Sequence, residues 1–209
     1  IECYYPELAK LKDTPQEPEW HPEGDVWIHT MMVVDQAALI ATREKMNDEE
    51  RLLCVLGALC HDLGKALTTA PLEKDGVIRM RSLGHEKAGI EPTRELLSRL
   101  TFGQDVNLFC EHVAHYHLQP TAFYREFEKK HLSEGGYENA VRKFLKKILP
   151  YDWKIFLASC EADYRGRTLP DIEKDPFVIG KKFAGVIQKN KLDEAAKTLL
   201  VTGEELIQF

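Results

Sequence analysis

The sequence predicts an all-α protein. Apolar residues recur at helical spacing in several segments, as on the buried face of a helix. Glycine and proline residues separate these segments, and the alternating pattern of strands is rare. A chain with this pattern buries its apolar residues by packing helix against helix.

Capping and breaking residues place the helices in order. Asn47 or Asp48, and further along Asp105, can accept hydrogen bonds from first-turn N–H groups, and Pro176 suits a helix start. An Asp75-Gly76 turn in the long connection over residues 65–83 allows a short hairpin. The predicted helices run from about Asp25 to Lys45, Asn47 or Asp48 to Gly64, His85 to Leu100 with a kink or a late start near Pro92, Asp105 to a stop at Pro120, Gly135-Gly136 onward, Asp152 to Gly166, Pro176 onward, and Asp193 onward.

The length of 209 residues suits one domain with a short appendage. We expect an irregular N-terminal segment over residues 1–25 and a helical domain over residues 26–170. A helical extension over residues 171–209 is expected to lead into a further segment of a longer protein.

Composition limits the function classes. The net charge of −6 argues against extensive phosphate-backbone binding by this chain alone, but not against a small phosphorylated substrate. No apolar run approaches the roughly 20 residues that span a bilayer, and no signal peptide is evident. Four of the five cysteines lie in apolar, helix-like stretches, and without a C-x-x-C pair they resemble buried apolar residues of a reducing compartment. A cytoplasmic protein without membrane partners is therefore expected.

Histidine and aspartate residues at helix ends carry the chemistry. The main positions are His29, the pair His61-Asp62, and Asp163. Imidazole and carboxylate together suit Zn, Mn, Fe, Ni or Co. Such an ion lowers the pKa of bound water and polarises a phosphoryl oxygen. His85 and a cluster of His112, His115 and His117 are further candidates.

Each position also has an ordinary interpretation. His29 can be a core histidine, Asp163 a partner of Arg165, and Lys65 a solvated lysine. A single His-Asp pair is a weak signal, because it arises often by chance. The order and context of the set favour a metal site over these readings.

That order resembles the H…HD…D signature of the HD-domain phosphohydrolase superfamily. The local strings resemble the HD domain of bacterial multifunctional CCA tRNA nucleotidyltransferases over roughly residues 15–170. These strings are WHPEGDVWIHT from Trp20, LCHDLGK from Leu59, GHEKAG from Gly84 and CEADYRGR from Cys160.

The resemblance implies an HD helical bundle with phosphatase and 2′,3′-cyclic phosphodiesterase activity on nucleotide or RNA-end phosphates. It implies His29, His61, Asp62 and Asp163 as ligands of one divalent ion (Ni, Mn, Co, Fe, Zn or Mg). His85 and His117 would bind a second ion, with Asp62 shared between the two.

Basic residues near these ligands are candidates for phosphate contact. We assign that role to Lys65, Arg165 and Arg167, and a catalytic role to Asp62 and Lys65. The choice of His117 over His112 and His115 stays open.

The chain also departs from the nucleotidyltransferases. It contains no Gly-Ser or Gly-Gly opening followed by a paired-aspartate strand, so it is not expected to add CCA by itself. Any tRNA contact is expected through domains outside this chain. Rival functions are a non-catalytic scaffold that supports tRNA binding, a nucleoside triphosphate or alarmone hydrolase, and a di-iron oxygenase.

Overall fold

The protein is mostly helical, as predicted. A computed structural model describes residues 3–192, and these contain one two-stranded antiparallel sheet beside the helices. The elements are α1 Pro6–Ala9, α2 Val26–Arg43, α3 Asp48–Cys60, α4 Lys65–Thr68, β1 Thr69–Lys74, β2 Val77–Ser82, α5 His85–Ala88, α6 Ile90–Ser98, α7 Gln104–Tyr116, α8 Gln119–Glu128, α9 Glu134–Ile148, α10 Trp153–Arg165, a 3-10 turn Ile172–Lys174, and α11 Val178–Lys189.

These residues form two compact units. The first contains the chain up to Gln119 together with Lys154–Phe177, and the second contains Pro120–Trp153 and the chain from Val178. The division predicted at residues 25 and 170 does not coincide with the boundaries of these two units, and it stays a prediction. The helix expected from Asp193 lies outside the described residues.

In the first unit, α3 is the central helix and packs against both α2 and α7. Asn47 caps α3, since its side chain accepts from the Glu50 N–H while the Glu50 carboxylate accepts from the Asn47 N–H. This capping box fixes where the helix begins. Gly57 favours close packing of α3 on α7, since a Cβ there would lie 3.0 Å from the Val113 side chain.

The hairpin predicted from the Asp75-Gly76 turn is present as β1 and β2. Both turn residues have positive φ, at 54° and 75°, as a two-residue type I′ turn requires. Lys74 pairs with Val77 at the turn, and Thr69 pairs with Ser82 at the open end. The hairpin therefore returns the chain to Gly84, which precedes the short helix α5.

Several helix boundaries differ from prediction. The helix expected from His85 to Leu100 breaks at Gly89, before Pro92, which lies in the first turn of α6. Gly103, not Asp105, is the N-cap of α7. Pro120 does not stop α7, because that helix already ends at Tyr116. Pro120 instead lies in the first turn of α8, where a backbone N–H has no partner within the helix and proline is tolerated.

The opening segment is not wholly irregular, since Pro6 begins the short helix α1. Leu8 and Leu11 of this segment are buried. Four cysteines are likewise buried, as expected for apolar-like thiols, whereas Cys3 is exposed; the buried ones are Cys54, Cys60, Cys110 and Cys160. Across residues 3–192, no helix is long and apolar enough to span a bilayer.

The second unit is built from α8, α9 and α11. Ser133 caps α9 by accepting from the Gly136 N–H, so the two glycines lie inside the first turn and do not precede it. One face of α9 is buried, and Phe144 on that face meets Phe183 of α11 edge to face at 6.0 Å. The opposite face of α9 is exposed to solvent.

Candidate metal centre

Imidazole and carboxylate groups from separate elements meet inside the first unit. All are buried except Asp163, whose side chain is 16% exposed. The groups brought together are His29, His61, Asp62, His85, His117 and Asp163. These are the six residues that the sequence analysis assigned to metal.

His29 and Asp163 approach from α2 and α10. Asp25 caps α2 by accepting from the Ile28 N–H at 2.8 Å, which fixes the first turn and the position of His29 in it. The His29 Nε2 atom lies 3.2 Å from Asp163 Oδ1. Two residues 134 apart in sequence thus supply neighbouring donor atoms.

Asp62 joins two pairs of histidines. Its Oδ2 atom lies 3.1 Å from His61 Nε2 and 3.8 Å from His29 Nε2. Its Oδ1 atom lies 3.3 Å from His85 Nε2 and 3.8 Å from His117 Nε2. Each carboxylate oxygen therefore faces one pair, as expected of a carboxylate shared by two ions.

The Nδ1 atoms orient these histidines. The Nδ1–H group of His61 donates to the Ala58 carbonyl at 2.6 Å. That of His85 donates to the Ser82 carbonyl at 2.7 Å, and that of His117 to the Ala114 carbonyl at 3.1 Å. A carbonyl oxygen only accepts, so the proton lies on Nδ1. The Nε2 lone pair then faces the centre, as metal ligation requires.

For His29, the group beside Nδ1 is the carboxylate of Glu23 and not a backbone carbonyl. The sequence analysis did not identify Glu23. Glu23 Oε1 lies 2.7 Å from His29 Nδ1 and 2.9 Å from His21 Nδ1, and its side chain is 1% exposed. Burial opposes ionisation, but the two histidines hold the pKa of Glu23 well below its usual range. The only sequence signal was the nearby string His21-Pro22-Glu23 in a segment predicted to be irregular.

Lys65 lies against the centre. Its Nζ is 2.7 Å from Asp62 Oδ2 and donates to Gln16 Oε1 at 2.8 Å. Burial raises the pKa of Asp62, but His61 and Lys65 outweigh it and hold that pKa well below its usual range. Asp62 is therefore ionised and able to bind a cation.

The two candidate arginines differ in their contacts. Arg165 donates from Nε to Glu161 and from its terminal nitrogens to the carbonyls of Ile172 and Asp175. Arg167 lies over the Tyr164 ring, with its guanidinium carbon 5.0 Å from the ring centroid. Burial opposes ionisation of Asp163, but His29, His61 and, after them, the charge of Arg167 hold its pKa well below the usual range.

The remaining histidines of α7 stay apart from the six. His112 Nδ1 donates to the Leu108 carbonyl, and the ring of His115 lies 4.2 Å from that of Tyr116. His117 is buried beside Asp62, and burial lowers its pKa to about 4. It is therefore the neutral imidazole, the form that ligates metals.

Unsatisfied atoms test whether these residues fit a metal ion. Among the described residues, His61 Nε2 and Asp62 Oδ1 are buried without a hydrogen-bond partner, and Asp62 Oδ2 is buried with the Lys65 ammonium group at 2.7 Å beside it. Buried polar atoms without partners are costly and uncommon. The donor atoms of His29, His61 and Asp62 lie within 4.8 Å of one another, as do those of Asp62, His85 and His117. The residues present fit divalent cations with mixed nitrogen and oxygen ligands.

The chain is similar over most of its length to multifunctional CCA proteins. The chain is 36% identical over 168 residues to the multifunctional CCA protein of Pasteurella multocida, covering 80% of this chain and 36% of that protein. It is 38% identical over 163 residues to that of Actinobacillus pleuropneumoniae (78% and 36%), and 30% identical over 196 residues to that of Hahella chejuensis (90% and 39%).

The chain thus spans between about a third and two fifths of the length of these relatives. The family model described as HD domain matches residues 26–150, which include His29, His61, Asp62, His85 and His117. Glu23 and Asp163 lie outside that range. Because this family model matches more than half of the chain and the fold is helical, the chain belongs to the HD domain family.

Proposed function

We propose that this chain is a metal-dependent phosphohydrolase that acts on nucleotide or RNA-end phosphates, as a phosphatase and 2′,3′-cyclic phosphodiesterase. The observation that carries the proposal is the division of four histidines between the two oxygens of Asp62. Membership of the HD family and likeness to multifunctional CCA proteins support it. We propose also that the chain is the HD portion of a protein of that kind.

The centre would hold one or two divalent ions. His29, His61, Asp62 and Asp163 would bind the first, and Asp62, His85 and His117 the second. A bound cation supplies Lewis acidity and lowers the pKa of a coordinated water. Asp163 is the most exposed of the six, so substrate would enter on its side.

The chain's own residues would position substrate and balance its charge. The backbone carbonyls and Glu23 hold the imidazoles with Nε2 inward, so binding a cation requires no reorientation. Lys65, which pairs with Asp62 at 2.7 Å, would contact a phosphoryl oxygen of the substrate if a cation took its place on Asp62. We assign the second phosphate contact to Arg167 and a structural role to Arg165, since Arg165 is occupied elsewhere.

The test is a hydrolysis panel on metal-stripped protein. Ni, Mn, Co, Zn, Mg or Fe is added back separately, with p-nitrophenyl phosphate, bis-p-nitrophenyl phosphate, a 2′,3′-cyclic nucleotide and ATP as substrates. Metal-dependent turnover of the monoester or cyclic substrate is expected. Asp62→Ala should lose both bound metal, measured by mass spectrometry, and turnover, whereas the exposed Asp35→Asn should retain both.

Other outcomes would favour the rival functions. A folded, metal-loaded protein without hydrolysis of any substrate would indicate a scaffold. Release of pyrophosphate or triphosphate would indicate a triphosphate or alarmone hydrolase. Oxygen consumption with an iron-dependent absorption band would indicate an oxygenase. Full activity in Asp62→Ala would refute the assignment of the centre.

A further inference from the structure

The charge of the chain is unevenly distributed. The net charge is −6, yet the described residues of the second unit, 120–153 and 178–192, contain eleven lysines and arginines against five aspartates and glutamates. Residues 139–151 contain four basic residues and no acidic one, and residues 178–192 contain four lysines and no acidic one. An average over the chain therefore hides a basic unit.

The basic residues of α9 lie on one face. Arg142, Lys143, Lys146 and Lys147 are all exposed, while Val141, Phe144, Leu145 and Ile148 between them are buried. Arg142 with Lys146, and Lys143 with Lys147, are one helical turn apart, which places the Cβ atoms of each pair about 5–6 Å apart. The face thus presents two parallel rows of cations, which we call the α9 basic face.

Helix α11 extends this surface. Lys189 donates to Glu138 at 2.9 Å, and Arg142 also acts on Glu138 and lowers its pKa. The carboxylate of Glu138 thus lies between a cation of α11 and the first cation of the α9 basic face. Two lysines in the last turn of a helix can be explained by their favourable interaction with the helix dipole. That interaction does not explain four cations over two turns with a further cation on a second helix, because it acts only within the last turn.

We infer that the α9 basic face is a binding surface for the phosphate backbone of RNA. Within the α9 basic face itself, from Arg142 to Lys147, no acid intervenes, and such rows of lysine and arginine are the electrostatic footprint of nucleic-acid binding. A membrane-surface helix would also expose large apolar side chains. Within Glu134–Ile148, all of which the structure describes, none is exposed. RNA rather than an acidic protein is chosen because the inference rests on the proposed function at RNA ends.

The experiment compares two double variants of the whole chain. Lys143→Glu with Lys146→Glu reverses two charges on the α9 basic face, and Lys10→Glu with Lys74→Glu reverses two exposed charges of the first unit. Binding of a fluorescein-labelled RNA stem-loop is followed by anisotropy over a series of salt concentrations. Each lost phosphate contact should lower the salt slope by about 0.9 and the affinity by nearly tenfold at 0.1 M salt.

The first variant should therefore bind RNA at least about tenfold more weakly, with a salt slope smaller by about two. The second should bind like the wild type. Equal binding by the two variants, or stronger wild-type binding to a polyglutamate peptide or to anionic vesicles, would overturn the inference. Thermal melting checks that each variant is folded. If the variant Lys143→Glu with Lys146→Glu is not folded, Lys143→Ala with Lys146→Ala takes its place.

Hydrolysis of p-nitrophenyl phosphate separates the two proposals. It needs no RNA surface, so both variants should turn it over at the wild-type rate. Absence of hydrolysis in the wild type would refute the proposed function and leave the binding result standing. Normal hydrolysis with RNA binding unaffected by the α9 variant would refute only the surface.

Discussion

The contact between Glu23 and His29 predicts a measurable loss of metal affinity when Glu23 becomes glutamine. Loss of an outer partner of a ligating histidine typically costs 10- to 100-fold in affinity. Both side chains are almost fully buried, at 1% and 0% exposure, so water does not screen their interaction. However, Glu23 Oε1 is shared with His21, and His29 Nδ1 is not well aligned with it. We therefore expect about 10- to 30-fold, or about 1.4–2 kcal/mol.

The affinity is measured by competing Ni²⁺ between the protein and a chromophoric chelator, so no activity is needed. Glu19→Gln is the control, because Glu19 belongs to the same segment but its side chain is 56% exposed and pairs with Arg79. The ¹⁵N spectrum of the imidazoles reports whether the His29 proton stays on Nδ1. Should Glu23→Gln bind Ni²⁺ within about twofold of Glu19→Gln, the idea that Glu23 orients His29 is wrong.

Three further substitutions test the packing and electrostatics. Gly64→Ala should cost about 3 kcal/mol or more in denaturant unfolding, because its Cβ would lie 2.1 Å from the His85 carbonyl oxygen; a stable variant with intact metal binding would contradict this. Tyr137→Phe should leave the unfolding free energy unchanged or raise it by up to about 1 kcal/mol, since the Tyr137 hydroxyl is buried without a partner among the described residues; a clear loss would show that it has one. Burial opposes ionisation of Glu161, but Arg43 and Arg165 hold its pKa below the usual 4.5. Its contribution is thus present above that pH and lost as pH falls, so Glu161→Gln should flatten the acid side of a stability–pH curve; an unchanged slope would count against it.

Local chemistry explains which parts of the fold were predictable. The N-cap, for which Asn47 and Asp48 were the two candidates, and the turn at Asp75-Gly76 depend on residues a few positions apart, so local sequence could predict both. Asp105 was predicted as the N-cap but lies in the first turn, because an aspartate stabilises the start of a helix at either position. The two-unit division depends on which distant helices pack together, and no local pattern encodes that.

The candidate site divides in the same way. Residue type and order singled out six groups that the structure brings together, but the resemblance, not periodicity, selected His117 among three histidines of one helix. Glu23 was missed because its role is defined by His29 Nδ1, and side-chain direction is not visible in a sequence. The net charge of −6 says nothing about how charge is distributed, since it sums an acidic first unit with a basic second one.

The wide sequence separation of the ligands has a consequence for biosynthesis. Asp62, His85 and His117 have all been synthesised well before α10, whereas the set around His29 lacks Asp163 until that helix exists. A chain leaving the ribosome could therefore assemble one half of the centre first. Complete loading would wait for α10 to dock on α2, so a fully metallated centre would report that the first unit has finished folding.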